Sequence, residues 1–265
     1  MRIVQLSDLH LQPPGQRLYG RVDTAACLEA ALARIAALAP DLLVISGDLS
    51  DRGSATEYAW LDRALAPLSC PVALMPGNHD RRETLRAAFP SQGWTGKDDA
   101  PCHRRLDVAT GTLLLLDTVV PGQEHGLVDA AALDWLEAAC PARTRTLLVM
   151  HHPPFSIGVA GMDAIACRGA EALDAWLARH PNVEAVLCGH VHRFVATTFA
   201  GRLALTTPSP AHQIALDLDG APGELAFTLE PGAFLLHLWA PGRPLTTHCV
   251  PCAPAPAYRY AALGG

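Results

Sequence analysis

Long apolar runs are missing from this 265-residue chain: although half of its residues are hydrophobic, none of its apolar runs approaches the roughly 18 residues of a membrane span. So much apolar side chain without a span predicts a folded globule with a sizeable core. Positive charge is also scarce. Lys and Arg number 20 against 26 Asp and Glu, giving a formal net charge of −6 and a pI near 6.0. With no Lys/Arg-rich run, neither a nucleic-acid duplex nor an anionic membrane surface is expected as a partner. No signal-peptide pattern precedes the first strand-like run, "RIVQL" (2–6), so a cytoplasmic protein is expected. A zinc ribbon is excluded for want of a second cysteine pair. Of the eight cysteines only Cys249-Val-Pro-Cys252 lie close together, and ordinary reduced thiols are expected. Internal repeats are absent, and low complexity is confined to the Pro/Ala-rich stretch 251–257.

What is present is an alternation. Strand-like runs at 2–6, 42–46, 71–75, 146–150 and 183–189 are separated by helical patterns at 23–39, 54–66, 129–139 and 169–179. "HRRLDV" and "TLLLLD" flank Ala109-Thr110-Gly111 and predict a hairpin. From about 194 the pattern turns β-like, cut by Pro and Gly, with no long helix. Such β-α-β order predicts layered sheets and helices.

The ends of the strands carry the chemistry. In order they supply Asp8 and His10, then Gly47-Asp48, then Gly77-Asn78-His79-Asp80, then His151-His152, and finally Gly189-His190-Val191-His192. In open α/β sheets, ligands bind beyond the carboxyl ends of the strands, so these five clusters predict one site. Asp8/His10 and His190/His192 each have i, i+2 spacing, which in an extended backbone points both side chains the same way. Imidazoles mixed with carboxylates suit Zn, Mn or Fe better than Ca or Mg. Seven candidate ligands (Asp8, His10, Asp48, Asn78, His151, His190 and His192) exceed what one ion takes. Two ions sharing a bridging Asp fit that number, and such pairs, about 3.5–4 Å apart, clamp in-line displacement at phosphorus.

In this order D-x-H, G-D, G-N-H-D, H and G-H-x-H resemble the calcineurin-like metallophosphoesterase superfamily. "GNHD", "MHHPP" and "CGHVH" are more narrowly similar to the class III cyclic-nucleotide phosphodiesterases and bacterial glycerophosphodiesterases. "LYG" (18–20), "GMDAIAC" (161–167) and "AHQ" (211–213) are similar to the glycerophosphodiesterase branch. The motifs span 8–192, and the similarity weakens after about 217.

The resemblance implies a four-layer α/β/β/α sandwich, with a catalytic core at 1–217 and a β-rich extension at 218–265 that serves as a cap or dimer contact. It implies two divalent or trivalent transition-metal ions (Fe, Mn, Zn or Co), the first on Asp8, His10 and His192, the second on Asn78, His151 and His190, with Asp48 bridging. It further implies hydrolysis of a small phosphodiester, a 3′,5′-cyclic nucleotide or a glycerophosphodiester, by a metal-bridging hydroxide. Asp48 and His79 are then the catalytic residues, and Asn78, His79 and His212 face the substrate. Asp80 is expected to orient His79 or to cap the next helix. Two divalent ions, Asp8, Asp48 and a hydroxide sum to about +1, matching a diester monoanion. A monoesterase or nuclease on the same fold is the alternative, and a non-catalytic scaffold a distant one. Arg52 is expected at the surface, His152 to point away from the ligand before it on a straight strand and to pack behind the ligands, and Tyr19 and Cys167 to carry less. His103, His125, His180, His237 and His248 fit no motif. The extension's apolar strands, "LAFTLE" and "AFLLHLWA", are too few to fold alone, so a homodimer or larger homo-oligomer is expected.

Overall fold

The computed structural model describes residues 1–259; the last six positions of the expected extension, 260–265, lie outside the described residues. Its strands and helices follow the alternation read above. β1 (Arg2–Leu6), α1 (Thr24–Leu38), β2 (Leu42–Ser46), α2 (Ala55–Leu65), β3 (Val72–Met75) and α3 (Arg82–Ala88) form the first part. The hairpin β4 (Arg104–Val108)–β5 (Gly111–Leu116) leads to α4 (Ala130–Ala139), β6 (Thr146–Met150), α5 (Ala160–Asp163), α6 (Ala170–Arg179) and β7 (Val183–Cys188). Then come β8 (Val195–Phe199), β9 (Arg202–Thr206), β10 (Gln213–Ile214), β11 (Phe227–Thr228), β12 (Ala233–Leu238) and β13 (Thr246–Pro251).

Side-chain caps explain where α1, α2 and α4 begin. The Asp23 and Asp129 carboxylates accept the Ala26 and Ala132 N–H groups. Ser54 and Glu57 form a reciprocal capping box on α2.

Two sheets stack face to face. One runs β13-β12-β1-β2-β3 and the other β4-β5-β6-β7-β9-β8. The strands β1-β2-β3 and β5-β6-β7-β9 pair in parallel; antiparallel strands close both edges of the second sheet and one edge of the first, whose other edge is the parallel strand β3. Side-chain alternation sorts the core into three layers. Ile3, Val44 and Met75 face Leu113, Val149 and Leu187 between the sheets. Their neighbours Val4, Ile45 and Leu74 turn outward onto α1 and α2, while Leu114, Leu148 and Val186 turn outward onto α4 and α6. The runs β2 and β6 are buried at every position because both faces are covered. The expected α/β/β/α sandwich is what forms.

The segment after 217 contributes to that sandwich directly. β12 pairs with β1, Arg2 opposite Leu238, and β13 pairs with β12. Before them, the short pair β10–β11 brackets residues 215–226 into a loop. No helix among the described residues is long and apolar enough to cross a membrane.

Candidate metal centre

All parallel strands of one sheet run the same way, so their carboxyl ends, and the polar turns that follow, open on one end of the sandwich. The backbone there departs from ordinary geometry. Of the nine non-glycine residues with positive φ among the described residues, five are Asp8, His10, Asp48, His190 and His192, at 43–69°. Left-handed backbone costs a residue with a side chain about 1–3 kcal/mol, and such conformations concentrate at functional sites. The i, i+2 pairs therefore converge through left-handed turns and not, as the spacing suggested, along an extended strand. Close approach also fixes the glycines. A Cβ on Gly77 would stand 2.2 Å from Asp48 Oδ1, and one on Gly47 2.3 Å from His151 Nδ1.

These turns bring the seven candidate ligands into one cleft. His10 Nε2 lies 3.0 Å from His192 Nε2 and 3.4 Å from Asp48 Oδ2. His192 Nε2 stands 3.6 Å from Asp8 Oδ1. On the other side His151 Nε2 is 3.3 Å from the same Asp48 Oδ2, and the His151 and His190 rings are 5.2 Å apart. Donors bound to one ion at about 2.1 Å sit about 3.0–3.4 Å from one another, so these separations fit metal coordination. Three groups of side chains among the described residues could each hold an ion: Asp8, His10, Asp48 and His192; His151, His152 and His190; and, sharing His10 with the first, His10, Asp51 and His79.

Hydrogen bonding supports the same conclusion. His151 Nδ1 donates to the Ser46 carbonyl at 2.8 Å, and His192 Nδ1 to the His212 carbonyl at 3.2 Å, which leaves each Nε2 free to face the carboxylates. Of ten buried side-chain polar atoms without a partner among the described residues, six belong to this cleft. They are His10 Nδ1, Asn78 Oδ1, the Nε2 atoms of His151, His152 and His190, and His212 Nδ1. Buried polar atoms are nearly always satisfied, so a cluster of orphans marks where a ligand belongs.

Protonation tells the same story. Burial pushes the Asp8 carboxyl up to about 6, relieved by His151 and reinforced by the Asp48 charge. Burial would also raise Asp48, but His151, His79 and His10 outweigh it and hold that carboxyl well below its usual range. Burial opposes a charge on His151, yet Asp48 and Asp8 hold it up to about 9. Two buried carboxylates side by side draw positive charge, from a proton or from an ion.

His79 occupies the rim, its side chain 36% exposed. Its N–H donates to Asp48 Oδ1 at 2.9 Å, and its Nδ1 lies 3.0 Å from the Asp51 carbonyl. A carbonyl only accepts, so Nδ1 carries a proton and Nε2 is the free nitrogen. The Asp51 carboxylate stands 3.8 Å from that Nδ1 and 3.6 Å from His10 Nδ1, held by Gln12 Nε2 at 2.7 Å. Sequence reasoning passed over Asp51 in favour of its neighbour Arg52, whose side chain is 75% exposed as expected. The spacing Asp48-x-x-Asp51 was the available signal. His212 lies ring to ring at 4.5 Å from His192, and burial lowers it to about 3.

Two residues behave differently from expectation. His152 does not point away. The strand ends at Met150, so alternation stops, and the His152 ring lies 4.6 Å from His190 with Nδ1 2.8 Å from Thr118 Oγ1. Asp80 neither orients His79 nor caps α3, whose N-cap is Arg81. Its buried carboxylate instead accepts from the N–H groups of Leu49, Ser50 and Gly77 and from the hydroxyls of Ser50 and Tyr58, at 2.9–3.2 Å. It clamps the turn after β2 to the turn after β3. Asp80→Ala leaves several buried donors unmatched and is expected to cost about 3 kcal/mol. At the usual entropy of unfolding that is a fall of about 6–12 °C in Tm, measured by thermal unfolding. A fall under about 2 °C would show that the clamp is dispensable.

Comparison with known proteins agrees with this geometry. The family model of calcineurin-like phosphoesterases matches residues 1–194. The chain is 34% identical over 256 residues to a probable glycerophosphodiester phosphodiesterase GpdQ of Arcobacter nitrofigilis, covering 94% of this chain and 92% of that one. It is 37% identical over 249 residues to the 3′,5′-cyclic adenosine monophosphate phosphodiesterase CpdA of Pseudomonas aeruginosa, covering 91% and 86%. A dimetal phosphatase from Danio rerio has the same fold, with a TM-score of 0.64 at 16% identity, covering 95% of this chain and 96% of that one. With its motifs gathered in one cleft and its sequence matched along most of its length, the chain belongs to the calcineurin-like phosphoesterase family.

Proposed function

We propose that this protein is a phosphoric diester hydrolase with a two-metal centre, acting on small phosphodiesters of the cyclic-nucleotide or glycerophosphodiester kind. The observation that carries this reading is Asp48, one carboxylate oxygen of which stands 3.4 Å from His10 and 3.3 Å from His151, imidazoles of two different groups. Asp8, His10 and His192 would hold one ion, Asn78, His151 and His190 the other, and Asp48 would be shared between them. The donor set suits Fe, Mn, Zn or Co. Bound there, such ions supply Lewis acidity toward the phosphoryl oxygens and lower the pKa of water. The chain's own residues then position and exclude. His79 presents Nε2 toward the leaving oxygen, and His212, neutral and close to His192, bounds the opposite side of the phosphate site. The names of the relatives support a diester substrate.

The test is a turnover panel on chain stripped with chelator and reconstituted with each of the four metals. Diesters are expected to exceed a nitrophenyl monoester by at least about tenfold in kcat/KM, with no turnover in the stripped chain. Preference for the monoester would sink this reading.

Two further parts belong to the same proposal. The eight cysteines are all unpaired, as a reducing cytoplasm keeps them. Residues 218–265 lend a contact to a second copy, making a homodimer at least; light scattering that found only the 28.1 kDa monomer at micromolar concentration would refute it.

A further inference from the structure

The cleft has two unlike ends. Beyond the His, Asp and Asn side chains the cavity, about 390 Å³, is bounded by Met162, Ile165, Ile214, Leu225, Ala226 and Phe227, with Tyr19 beside Phe227. The Tyr19 and Phe227 rings lie 5.0 Å apart at 32°, and His212 stands edge-on to both, at 5.7 and 5.5 Å. His212 is itself 4.5 Å from His192, so the aromatic surface begins one imidazole away from the metal-binding side chains.

Charge narrows what can lie there. Among the described residues that line this cavity there is no Arg or Lys, and the acidic side chains are Asp48 and Glu124. A second phosphate or a carboxylate on the substrate would meet no partner. A glycerol arm would find hydrogen bonds only beside Glu124, His212 and the Tyr19 hydroxyl; against Met162, Ile165, Ile214, Leu225, Ala226 and Phe227 its hydroxyls would lose water unmatched, at roughly 1–3 kcal/mol for each group. A flat, uncharged base buries its two faces there, keeps its polar edge toward solvent beside the exposed Tyr19, and gains a stacking surface.

Resting on the diesterase reading above, we infer that Tyr19 and Phe227 form a base-stacking subsite, and that it selects nucleoside-bearing, singly charged phosphodiesters over glycerophosphodiesters. In a 3′,5′-cyclic nucleotide the base stands one sugar ring from phosphorus. His212 provides a matching step between the metal-binding side chains and the two aromatic rings. Tyr19, 57% exposed, is free to swing onto a bound base, whereas Phe227 is fixed by the β10–β11 pairing of Ile214 with Phe227.

The experiment measures kcat and KM of the metal-reconstituted enzyme for 3′,5′-cyclic AMP and for glycerophosphoethanolamine, in the parent and in Tyr19→Ala, Phe227→Ala and Phe227→Leu. Phe227→Leu keeps the apolar volume should the alanine variant disturb the cap loop. The parent should favour cyclic AMP by at least about tenfold in kcat/KM. Base stacking is worth about 1–3 kcal/mol, so each ring lost should reduce that preference by about 5- to 150-fold, mainly through a higher KM. Preference for glycerophosphoethanolamine in the parent, or a ratio unmoved in Tyr19→Ala and Phe227→Leu, would overturn the subsite while leaving the diesterase reading intact. Turnover of a nitrophenyl monoester with none of either diester would overturn both.

Discussion

Asp48→Asn is expected to reduce metal content from two ions per chain to one or fewer, and to lower turnover by at least about 10³-fold, the rate equivalent of several kcal/mol of lost charge stabilisation. The argument is geometric. Asp48 Oδ1 accepts the His79 N–H at 2.9 Å, while Oδ2 faces the Nε2 atoms of His10 and His151 at 3.4 and 3.3 Å. Both oxygens act as acceptors, and an amide has only one. If the Asn oxygen keeps the His79 contact, an NH₂ group faces the two imidazoles and ligates nothing. If the amide flips, its NH₂ meets the His79 N–H, donor against donor. Either arrangement removes the negative charge that two adjacent cations share, so mutual repulsion expels one of them. Elemental analysis of the purified variant, beside its rate on bis(nitrophenyl) phosphate, decides the matter. Two ions bound with a near-normal rate would show that Asp48 does not bridge.

The sequence made legible whatever sits close to its own motif. Gly47-Asp48, Gly77-Asn78-His79 and His190-Val191-His192 each follow a strand whose apolar run is unmistakable, and parallel strands bring their carboxyl ends together whatever their order in the sheet. Features that depend on partners far along the chain were not legible. Asp80 reads as a capping residue because Asp before a helix usually is one; its role as a clamp exists only once β2 and β3 lie side by side. The pairing of β12 with β1 joins residues more than 230 positions apart, Arg2 with Leu238, and an alternating pattern does not name its partner. The convergence of Asp8 with His10 was anticipated for the wrong reason. Spacing supplied the pair, but left-handed φ values of 58° and 43° aim it. The apolar end of the cleft is assembled from α5, the turn after it and the β10–β11 loop, so no single stretch announces it.

On the proposed reading, specificity and chemistry are carried by different kinds of residue. The candidate metal-binding side chains sit on turns that follow the strands of both sheets, and the groups proposed to meet the rest of the substrate come from loops around that rigid end, as is usual for function mounted on a scaffold.

His79 belongs to the first kind by position and to neither by role, and its replacement is the sharpest test of the chemistry. Its backbone is tied to Asp48 and its Nδ1–H to the Asp51 carbonyl, so the free Nε2 is held in one orientation at the rim. The Asp51 carboxylate stands 3.8 Å from the same Nδ1, and Nε2 is the ring nitrogen that bears no hydrogen bond among the described residues. A proton held there helps an oxygen that departs as a basic alkoxide, a contribution typically worth about 10²–10⁴-fold. A nitrophenolate leaves without such help. His79→Ala is expected to slow a cyclic nucleotide or glycerophosphodiester by about 10²–10⁴-fold and bis(nitrophenyl) phosphate by roughly tenfold or less. Both metals should stay bound, because none of the contacts of His79 to Asp48 passes through its ring. Equal losses on the two substrates would reassign His79 to holding the phosphate, and unchanged rates would remove it from the mechanism.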